Sequence, residues 1–512
     1  MPNPSAIPHS GARPLRLEWL LRALLYGYAF DLFSYVTADP DLWGHLRFGR
    51  LTLEQGGVVR NDPFSFTAPG APWINHEWLT EVLFYGIYSL AGSTGLLLFK
   101  TGIGVWIVHA LFSLYRKRCA NLLFPTVYAF LAIPVMAPGF MTRPHVLTFF
   151  FLTLLWVLLQ EGLERNPGRL WWIPAVFLFW VNCHGGVVAG LGIFGVAAAL
   201  EGLRRRRNRD PVWKTLLGAF LLSLVAVLIN PYGWELWEFF IHTLSQPRDI
   251  SEWQAVPLEG TAYLAFKGLA LLFGLSLLLP VKKRVWEVAV ILIALLFGFL
   301  HQRHTVLAAI LLCPYLPRTF AEWRPRWDVT AGFQRAHADF RAVALAVLAL
   351  GALLFGFHAY TKYRPMDFQI YVDPRVYPTH LAQFLSANGV DGTLWTPFDW
   401  GEYFIWKRPG SRVSVDGRFR TVYPEPLLND AWAVASAQNG FEKILDRYAP
   451  RLVITRAREP AHQAMEGARG WVKIYQDPVS KLFVRPEDPL AGRFRAGTLR
   501  LPQEPPPDLF PG

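Results

Sequence analysis

The sequence predicts a polytopic α-helical membrane protein with a small soluble α/β domain at its C-terminal end. Of its 512 residues, 53% are hydrophobic and only 17% are charged, and the apolar residues fall in long blocks. The 21 tryptophans are typical of aromatic belts at two membrane interfaces. After Tyr360 the composition changes to that of a soluble domain. We therefore expect a membrane domain over 1–360 and an α/β domain over 361–490.

The positive charge of the chain has two possible explanations. A formal net charge of +12 is compatible with nucleic-acid binding, but the basic residues lie largely between apolar runs. Such a distribution indicates orientation of a membrane protein by the positive-inside rule, so no nucleic-acid partner is expected. The three cysteines (Cys119, Cys183 and Cys313) are scattered beside apolar segments. Their spacing supports neither a disulfide framework nor a metal–thiolate site.

About eleven membrane spans are predicted from the lengths of the apolar runs. They cover about 17–37, 94–115, 122–140, 145–161, 170–183, 186–202, 213–230, 261–280, 286–301, 304–317 and 338–359. The first run lacks a small-residue cleavage site, so it is interpreted as a retained span rather than a signal peptide. The shorter run at 78–92 contains Glu81 and is predicted to be an interfacial or half-crossing helix.

Basic residues occupy every second connection between the predicted spans. They are Arg116–Arg118, Arg165 and Arg169, Arg204–Arg207, Lys282–Arg284, and Arg318, Arg324 and Arg326. With Arg13, Arg16 and Arg22, this alternation predicts a multi-pass protein of the cytoplasmic (inner) membrane, with its N-terminus in the cytoplasm and its C-terminal domain outside. The remaining polar motifs then share the outer side: the first outer loop 38–78, and residues 143–145, 184–186, 230–253 and 301–304.

The C-terminal region alternates between helical and strand-like patterns. Helices are predicted over 379–388, 431–437 and 440–448, strands over 392–395, 412–415 and 452–455, and a hairpin over 471–485. This order indicates a small α/β domain with a mixed sheet. The tail 491–512, which contains Pro505–Pro507, is expected to be disordered. The sequence contains no glycine-rich phosphate loop, so no nucleotide cofactor is expected.

The first outer loop carries the first candidate site. Asp39 can be a helix N-cap, with Pro40 as the first helical residue and Asp41 in the first turn. Asp41 and His45 are four residues apart, so a helix that ends near Gly56 would place both on one face. A carboxylate beside an imidazole can abstract a proton from a hydroxyl group or hold a divalent ion. Asp39 is therefore interpreted mainly as a cap, and Asp41 with His45 as chemical groups.

The same loop ends in a second acidic cluster. Asn75 can cap the next helix and place Glu77 in its first turn. Alternatively, His76 and Glu77 supply the second half of a base or metal site that begins with Asp41. Both interpretations are open.

Arginines and histidines recur where spans meet the outer surface. Arg143 and Arg303 can be snorkelling side chains or a clamp for a phosphate group. His145 lies next to the first of these arginines, and His184 precedes two glycines in a turn that is either structural or substrate-binding. Glu252 lies in an outer loop that could carry a substrate-binding carboxylate.

The soluble domain contributes a third group of candidates. Asp399 can cap a helix that begins at Trp400, and Asp416 can belong to a turn with Gly417 and Arg418. The alternative is recognition of a sugar or peptide, because exposed aromatic residues grouped with charged residues suit such ligands.

Several motifs resemble those of a known group of proteins. They are 41–49 (DLWGHLRFG), 61–67 (NDPFSFT), 73–79 (WINHEWL), 143–145 (RPH), 184–186 (HGG), 230–233 (NPYG), 399–401 (DWG) and 416–418 (DGR). This pattern resembles bacterial integral-membrane proteins described as glycosyltransferases of the GT-C superfamily, or as having a mannosyltransferase-like membrane domain. A looser likeness links the chain to oligosaccharyltransferase catalytic subunits, whose Trp-Trp-Asp-Tyr-Gly motif is partly similar to 398–401.

The resemblance implies a GT-C-like fold, a polyprenyl-phosphate-linked sugar donor, and an acidic residue of the first outer loop near the reaction centre. Asp41 matches that position. Some members of the superfamily require a divalent ion and others do not; Mg or Mn held by Asp41 and Glu77 is therefore one possibility, and no other cofactor is implied. The acceptor, whether glycan, lipid or protein, stays open.

Together these observations predict a membrane glycosyltransferase that acts on the outer side of the membrane. Asp41, with His45 or Glu77, would activate the acceptor, while Arg303 and Arg143 would stabilise the leaving phosphate. The further predicted substrate-binding residues are Asp39, His76, His145, His184, Glu252, Asp399, Asp416 and Arg418.

The alternative function is that of a lipid-glycan transporter or a scaffold of envelope assembly. A transporter should show internal repeats and midplane charges, which the sequence lacks. A membrane protease would need a catalytic pattern that is absent.

Overall fold

The computed structural model describes residues 15–117, 122–245, 251–324, 332–333, 335–364, 368–502 and 508–512. Cys119 and the Pro505–Pro507 segment lie outside these residues. In the N-terminal part the helices are α1 Leu15–Phe33, α2 Leu42–Gln55, α3 Trp78–Arg116, α4 Leu123–Met136, α5 His145–Glu164, α6 Ile173–Trp180, α7 Val187–Arg207, α8 Val212–Ala226, α9 Glu235–Ser245, α10 Leu264–Leu277, α11 Val285–Leu300, α12 Thr305–Trp323 and α13 Ala338–Tyr363.

Each predicted span contains one of these helices. Four helices among the described residues are long and apolar enough to cross a membrane: Trp78–Arg116, His145–Glu164, Val187–Arg207 and Ala338–Lys362. Others are short; α6 has only eight residues and follows the 3₁₀ helix Pro167–Trp172. The total of eleven spans therefore stays a prediction.

Helix α3 is broken where the sequence predicts the end of a short first segment. Gly92 has φ 60° and ψ −159°, which is non-helical and favours glycine because a side chain would be strained there. The 78–91 segment and the 93–116 segment are therefore separate helical rods, and Glu81 belongs to the first. This break confirms the prediction that 78–92 is distinct from the span that follows it.

Polar motifs and basic connections lie at opposite ends of the helical bundle. Helices α3, α5 and α7 each begin beside a predicted outer motif and end at a basic connection. At the basic end, Arg116 pairs with Glu18 at 2.8 Å and Arg318 pairs with the buried Glu287. The charge pattern of the sequence thus corresponds to a real separation of the two ends of the bundle.

The C-terminal part forms the mixed α/β domain predicted from the sequence. Its helices are α14 Thr379–Ala387, α15 Gly401–Lys407, α16 Glu425–Ala435, α17 Phe441–Tyr448, α18 Ala461–Ala464 and α19 Pro489–Arg495, and its strands are β1 Thr393–Trp395, β2 Arg412–Val413, β3 Leu452–Arg456, β4 Val472–Gln476 and β5 Ser480–Val484. The strand order is β2-β1-β3-β5-β4. Strands β2, β1 and β3 are parallel, while β5 is antiparallel to β3 and β4. The predicted hairpin is β4–β5.

The first outer loop extends this sheet at the edge formed by β2. Ser65 pairs with Val413 in parallel orientation, and the backbone N–H of Val413 donates to the carbonyl of Phe64 at 3.0 Å. Thr67 donates its hydroxyl hydrogen to the carbonyl of Ser414. The loop and the soluble domain are therefore joined by backbone hydrogen bonds.

The end of the chain differs from the expected disordered tail. Residues 489–495 form α19, and Leu509 pairs with Tyr371. Phe510 is buried with its ring 5.1 Å from that of Trp43, and Trp43 Nε1 donates to the Pro511 carbonyl at 2.9 Å. The physical reason is that this aromatic side chain fills a gap behind α2, which a count of prolines cannot reveal.

Candidate active site

The N-terminus of α2 places Asp41 beside an arginine from a different helix. Arg143, just before α5, lies with Nε 2.6 Å from Asp39 Oδ1 and with Nη2 3.2 Å from Asp41 Oδ2. Burial raises the pKa of Asp41 to about 6, although the charge of Arg143 opposes the rise. A carboxyl group with such a pKa can accept a proton near neutral pH.

The predicted capping arrangement needs one correction. Asp41, not Asp39, occupies the N-cap position, because residues 40 and 41 form a turn before the helix starts at Leu42. Asp39 Oδ1 instead accepts the backbone N–H of Asp41 at 3.1 Å. The Asp41 side chain makes no capping bond to the described helix, which leaves it to face Arg143. The predicted helix end at Gly56 is confirmed.

His45 contacts a carboxylate that the sequence analysis did not select. Its Nδ1 lies 3.2 Å from Glu81 Oε1, and Asn75 Nδ2 donates to Glu81 Oε2 at 2.5 Å. Burial lowers the pKa of His45, but the hydrogen bond to Glu81 and the nearby Glu77 charge outweigh it, so the pKa is raised. Asp41 and His45 therefore share a region but have different partners.

Glu77 lies between two histidines. Its Oε1 is 3.6 Å from His76 Nε2 and 3.4 Å from His184 Nε2. The backbone N–H of Gly186 donates to His184 Nδ1 at 2.9 Å, so a neutral His184 carries its proton on Nε2, toward Glu77. Desolvation raises the pKa of Glu77 to about 7, with the charge of His45 opposing it. Burial and the charge of Arg303 lower the pKa of His184 well below its usual value.

Arg303 approaches this cluster from the connection between α11 and α12. Its Nη1 lies 3.1 Å from Glu252 Oε1, and its guanidinium lies 5.0 Å from the centre of the Trp253 ring. Its charge lowers the pKa of Glu77 and of His184, which places it near both. His145 Nε2 donates to the carbonyl of Gly139 at 2.7 Å.

The soluble domain adds Glu402, which the sequence analysis missed. This side chain from α15 is 3% exposed. A Cβ atom on Gly44 would lie 2.0 Å from Glu402 Oε2, and a Cβ atom on Gly417 would lie 2.5 Å from Asp41 Oδ1 and 2.8 Å from Glu402 Oε1. Burial and the negative charge of Asp41 raise the pKa of Glu402 well above its usual value. No spacing in the sequence signals this contact, because it joins elements far apart in the chain.

Asp416 and Arg418 lie in a closed, buried network. Arg418 Nη1 is 2.8 Å from Asp62 Oδ1, and Nη2 is 2.6 Å from Asp416 Oδ2. Tyr423 donates its hydroxyl hydrogen to Asp416 Oδ2 at 2.5 Å, and the guanidinium stacks near Trp73. This network joins the first outer loop to the soluble domain, so its geometry is structural. Substrate binding by these residues stays a prediction.

Asp399 lies at the surface of the soluble domain, in the 3₁₀ helix Phe398–Trp400. It pairs with Arg456 at 2.8 Å, and its side chain is 50% exposed. Its charge contributes to the raised pKa of Asp41, so it is a neighbour of the site. Its contact with substrate stays a prediction.

One group among the described residues has the composition of a metal site. Ligand atoms of His45, Glu77 and Glu81 all lie within 4.8 Å of one another. An imidazole with two carboxylates suits a divalent cation. Asp41, predicted as a ligand with Glu77, is not part of this group. Glu81 was missed because it lies in an apolar run, although its position four residues after Glu77 is a usable signal.

The site therefore gathers motifs from six regions of the sequence. The structure brings together the predicted residues of the first outer loop with Arg143, His184 and Arg303. It adds Asn75, Glu81 and Glu402. These side chains line the end of the bundle that is opposite to the basic connections.

Solved structures of ArnT and of an oligosaccharyltransferase share the fold of this chain, which confirms the fold implied by the predicted resemblance. No protein-family model and no curated protein matches the sequence. The structural likeness therefore concerns the fold, and the identities are low.

Three solved structures illustrate the likeness. ArnT from Cupriavidus metallidurans bound to undecaprenyl phosphate has a TM-score of 0.52 at 13% identity, over 92% of this chain and 97% of that one. Its apo state has a TM-score of 0.51 at 12% identity, with the same coverage. An Archaeoglobus fulgidus oligosaccharyltransferase, tethered to an acceptor peptide that contains the NVT sequon, has a TM-score of 0.51 at 13% identity, over 86% of this chain and 69% of that one.

Proposed function

We propose that this protein is a membrane glycosyltransferase that moves a sugar from a polyprenyl-phosphate-linked donor to an acceptor on the outer side of the cytoplasmic membrane. The observation that carries the proposal is the convergence of Asp41, Glu77, Arg143 and Arg303 at one end of a GT-C fold. A structural neighbour was solved with undecaprenyl phosphate, which supports this class of donor. The basic connections at the other end of the bundle support an outward-facing site.

Asp41 is the proposed general base. With its pKa raised to about 6, it is largely ionised at neutral pH and can accept a proton. The acceptor hydroxyl loses its proton to Asp41, and its oxygen forms a bond to the anomeric carbon of the donor sugar. The bond between that carbon and the phosphate oxygen breaks, and its electron pair leaves with the phosphate.

Arg143 and Arg303 are the proposed groups that stabilise the departing phosphate. Both are planar guanidinium groups that can bind phosphate oxygens through two hydrogen bonds. Arg303 pairs with Glu252, which is 39% exposed, so a phosphate can compete for it at little cost. Arg143 is held by Asp39 and Asp41 and supplies a fixed positive field.

His45, Glu77 and Glu81 fit a divalent cation such as Mg or Mn. When bound there, the cation would supply positive charge to the donor phosphates. The protein atoms present already form hydrogen bonds among themselves, with Asn75 holding Glu81 and Glu81 holding His45. These bonds orient the side chains of His45 and Glu81 before any ligand binds.

The direct test is the Asp41→Asn variant. Membranes that contain the variant are assayed with labelled undecaprenyl-phosphate sugars, and transfer should fall by about 10²–10⁴-fold, the usual contribution of a general base. Asp339→Asn is the matched control, because that side chain is 89% exposed and at the start of α13. Full transfer by Asp41→Asn would remove this residue from the mechanism.

A further inference from the structure

The soluble domain contains a cleft beside the carboxyl ends of two parallel strands. It lies past the ends of β1 and β3, with α16 as its other wall, and encloses about 530 Å³ including its open mouth. Ligands of α/β sheets bind in such crevices.

Aromatic side chains form one wall of the cleft. The rings of Phe398 and Trp432 lie 5.2 Å apart with a 46° angle between their planes. Trp432 is 41% exposed, so its ring is accessible to a ligand from the cleft. The face of the Trp432 ring alone is a flat apolar surface that complements the C–H face of a sugar ring.

Polar groups on the opposite wall accept or donate hydrogen bonds. The hydroxyl oxygen of Thr396 is buried with no hydrogen-bond partner among the described residues. Leaving such a group unpaired is unfavourable, and a ligand hydroxyl would supply the missing partner. Glu459 also borders the cleft; burial raises the pKa of its carboxyl to about 7.

The cleft adjoins the reaction centre through Asp399. This residue borders the cleft, and its charge raises the pKa of Glu459 on one side and of Asp41 on the other. Asp399 therefore links the cleft electrostatically to the proposed base. The other way to bind an extended ligand, addition of a peptide strand at the β2 edge, is blocked because residues 64–66 already occupy that edge.

We propose that this cleft binds a saccharide unit of the acceptor, so that the acceptor is a glycan or a glycoconjugate. Binding of a saccharide in the cleft does not depend on the proposed function. Only the assignment of that saccharide to the acceptor rests on it. The sugar stacks on Trp432, its hydroxyls bond to Thr396 and the two carboxyl groups, and a further hydroxyl of the same glycan reaches Asp41.

The test uses the purified full chain in detergent and the methyl glycosides of glucose, galactose, mannose and N-acetylglucosamine. Binding is measured by saturation-transfer NMR and titration. At least one glycoside should bind saturably. Trp432→Ala should weaken that binding about tenfold, and Thr396→Val, which keeps the side-chain shape, about fivefold.

Trp172→Ala is the matched control, because Trp172 is 67% exposed and lies in the 3₁₀ helix that precedes α6. It should bind as the wild type does, and all variants should keep the wild-type melting temperature. The inference is overturned if no glycoside binds, if Trp432→Ala and Thr396→Val bind as the control does, or if a panel of tripeptides binds in their place.

Asp41→Asn separates this inference from the proposed function. It should bind the glycoside normally while losing transfer. Wild-type transfer without glycoside binding would overturn the saccharide cleft alone. Glycoside binding by a wild-type protein that transfers no sugar would overturn the proposed function and, with it, the assignment of the cleft to an acceptor.

Discussion

The carboxyl groups of Asp41 and Glu402 approach each other across Gly417, although one belongs to the first outer loop and the other to the soluble domain. A single added carbon on Gly417 would meet both, at 2.5 Å and 2.8 Å. Two acidic groups so close cannot both ionise freely. The soluble domain thus shapes the electrostatic setting of the proposed base.

Gly417→Ala should disrupt this contact. The added methyl group has no space between the two carboxyl groups, so we expect a loss of about 1–3 kcal/mol of stability and a marked loss of transfer. Thermal unfolding of the full chain and the donor assay measure the two effects. Gly492→Ala is the control, because a Cβ atom there meets nothing within 4 Å. Equal melting temperatures and equal transfer in the two variants would contradict the close approach of Asp41 and Glu402 to Gly417.

Glu402→Gln should become more stable than the wild type as pH rises. The folded-state pKa of Glu402 lies well above its usual value, so its protonated form favours folding below the unfolded pKa. That stability is lost as pH rises toward the folded pKa. The difference in melting temperature should be near zero at about pH 4 and grow in favour of the variant toward alkaline pH. Glu487→Gln is the control for the amide substitution itself, because Glu487 is exposed.

Transfer should decline on acidification as Asp41 takes up a proton. Its pKa of about 6 sets the acidic limb of the rate profile, since a base must be ionised to act. Arg143→Gln removes the charge that lowers this pKa, so the limb should move up by about one pH unit or more. Arg60→Gln, at an exposed ion pair with Glu235, should leave the limb in place. If the acidic limb stayed at the same pH in Arg143→Gln, the electrostatic coupling between Arg143 and Asp41 would be disproved.

Arg418→Met should separate the first outer loop from the soluble domain. The change leaves Asp62 and Asp416 buried without their cation, and loss of one partner of a buried pair costs about 3–5 kcal/mol. Limited proteolysis should then cut within 38–78. For comparison, Arg447→Met removes an ion pair in which the arginine is 62% exposed, and it should cost less than about 1 kcal/mol.

Glu81→Gln tests the candidate cation site. If His45, Glu77 and Glu81 hold a divalent ion, treatment of the wild type with a chelator should abolish transfer and added Mn or Mg should restore it. The variant should need a higher concentration of the same ion, because one carboxylate ligand is lost. Chelator-resistant transfer by the wild type, or an unchanged ion requirement in the variant, would exclude this role.

The sequence predicted what depends on local pattern and composition. The mixed sheet, the separate segment at 78–92 and the placement of Arg143, His184 and Glu77 on one side all follow from apolar length, turn residues and charge distribution. Asp41 was selected because it begins a helix with a histidine one turn later. Its actual partner is Arg143, which lies 102 residues away, and no helical spacing can reveal it.

Glu81, Glu402 and Phe510 show why the remainder was missed. Glu81 lies in an apolar helix, so its composition suggested a membrane segment rather than a site. Phe510 lies in a proline-rich tail, so its composition suggested disorder rather than burial. Glu402 is surrounded in the sequence by aromatic residues, which predict that the segment belongs to the domain core. That prediction is correct. Its chemical interest arises only when α15 packs against α2, a long-range contact set by the whole fold.

The hydrogen bond between Thr67 and Ser414 joins residues that are 347 positions apart. Chains grow at about 5–20 residues per second, so the first outer loop is synthesised long before β2 exists to pair with it. During that interval Asp62 lacks Arg418, and Asp41 lacks the Glu402 carboxyl group that adjoins it. The proposed reaction centre is therefore complete only after the soluble domain has been synthesised and has paired with the first outer loop.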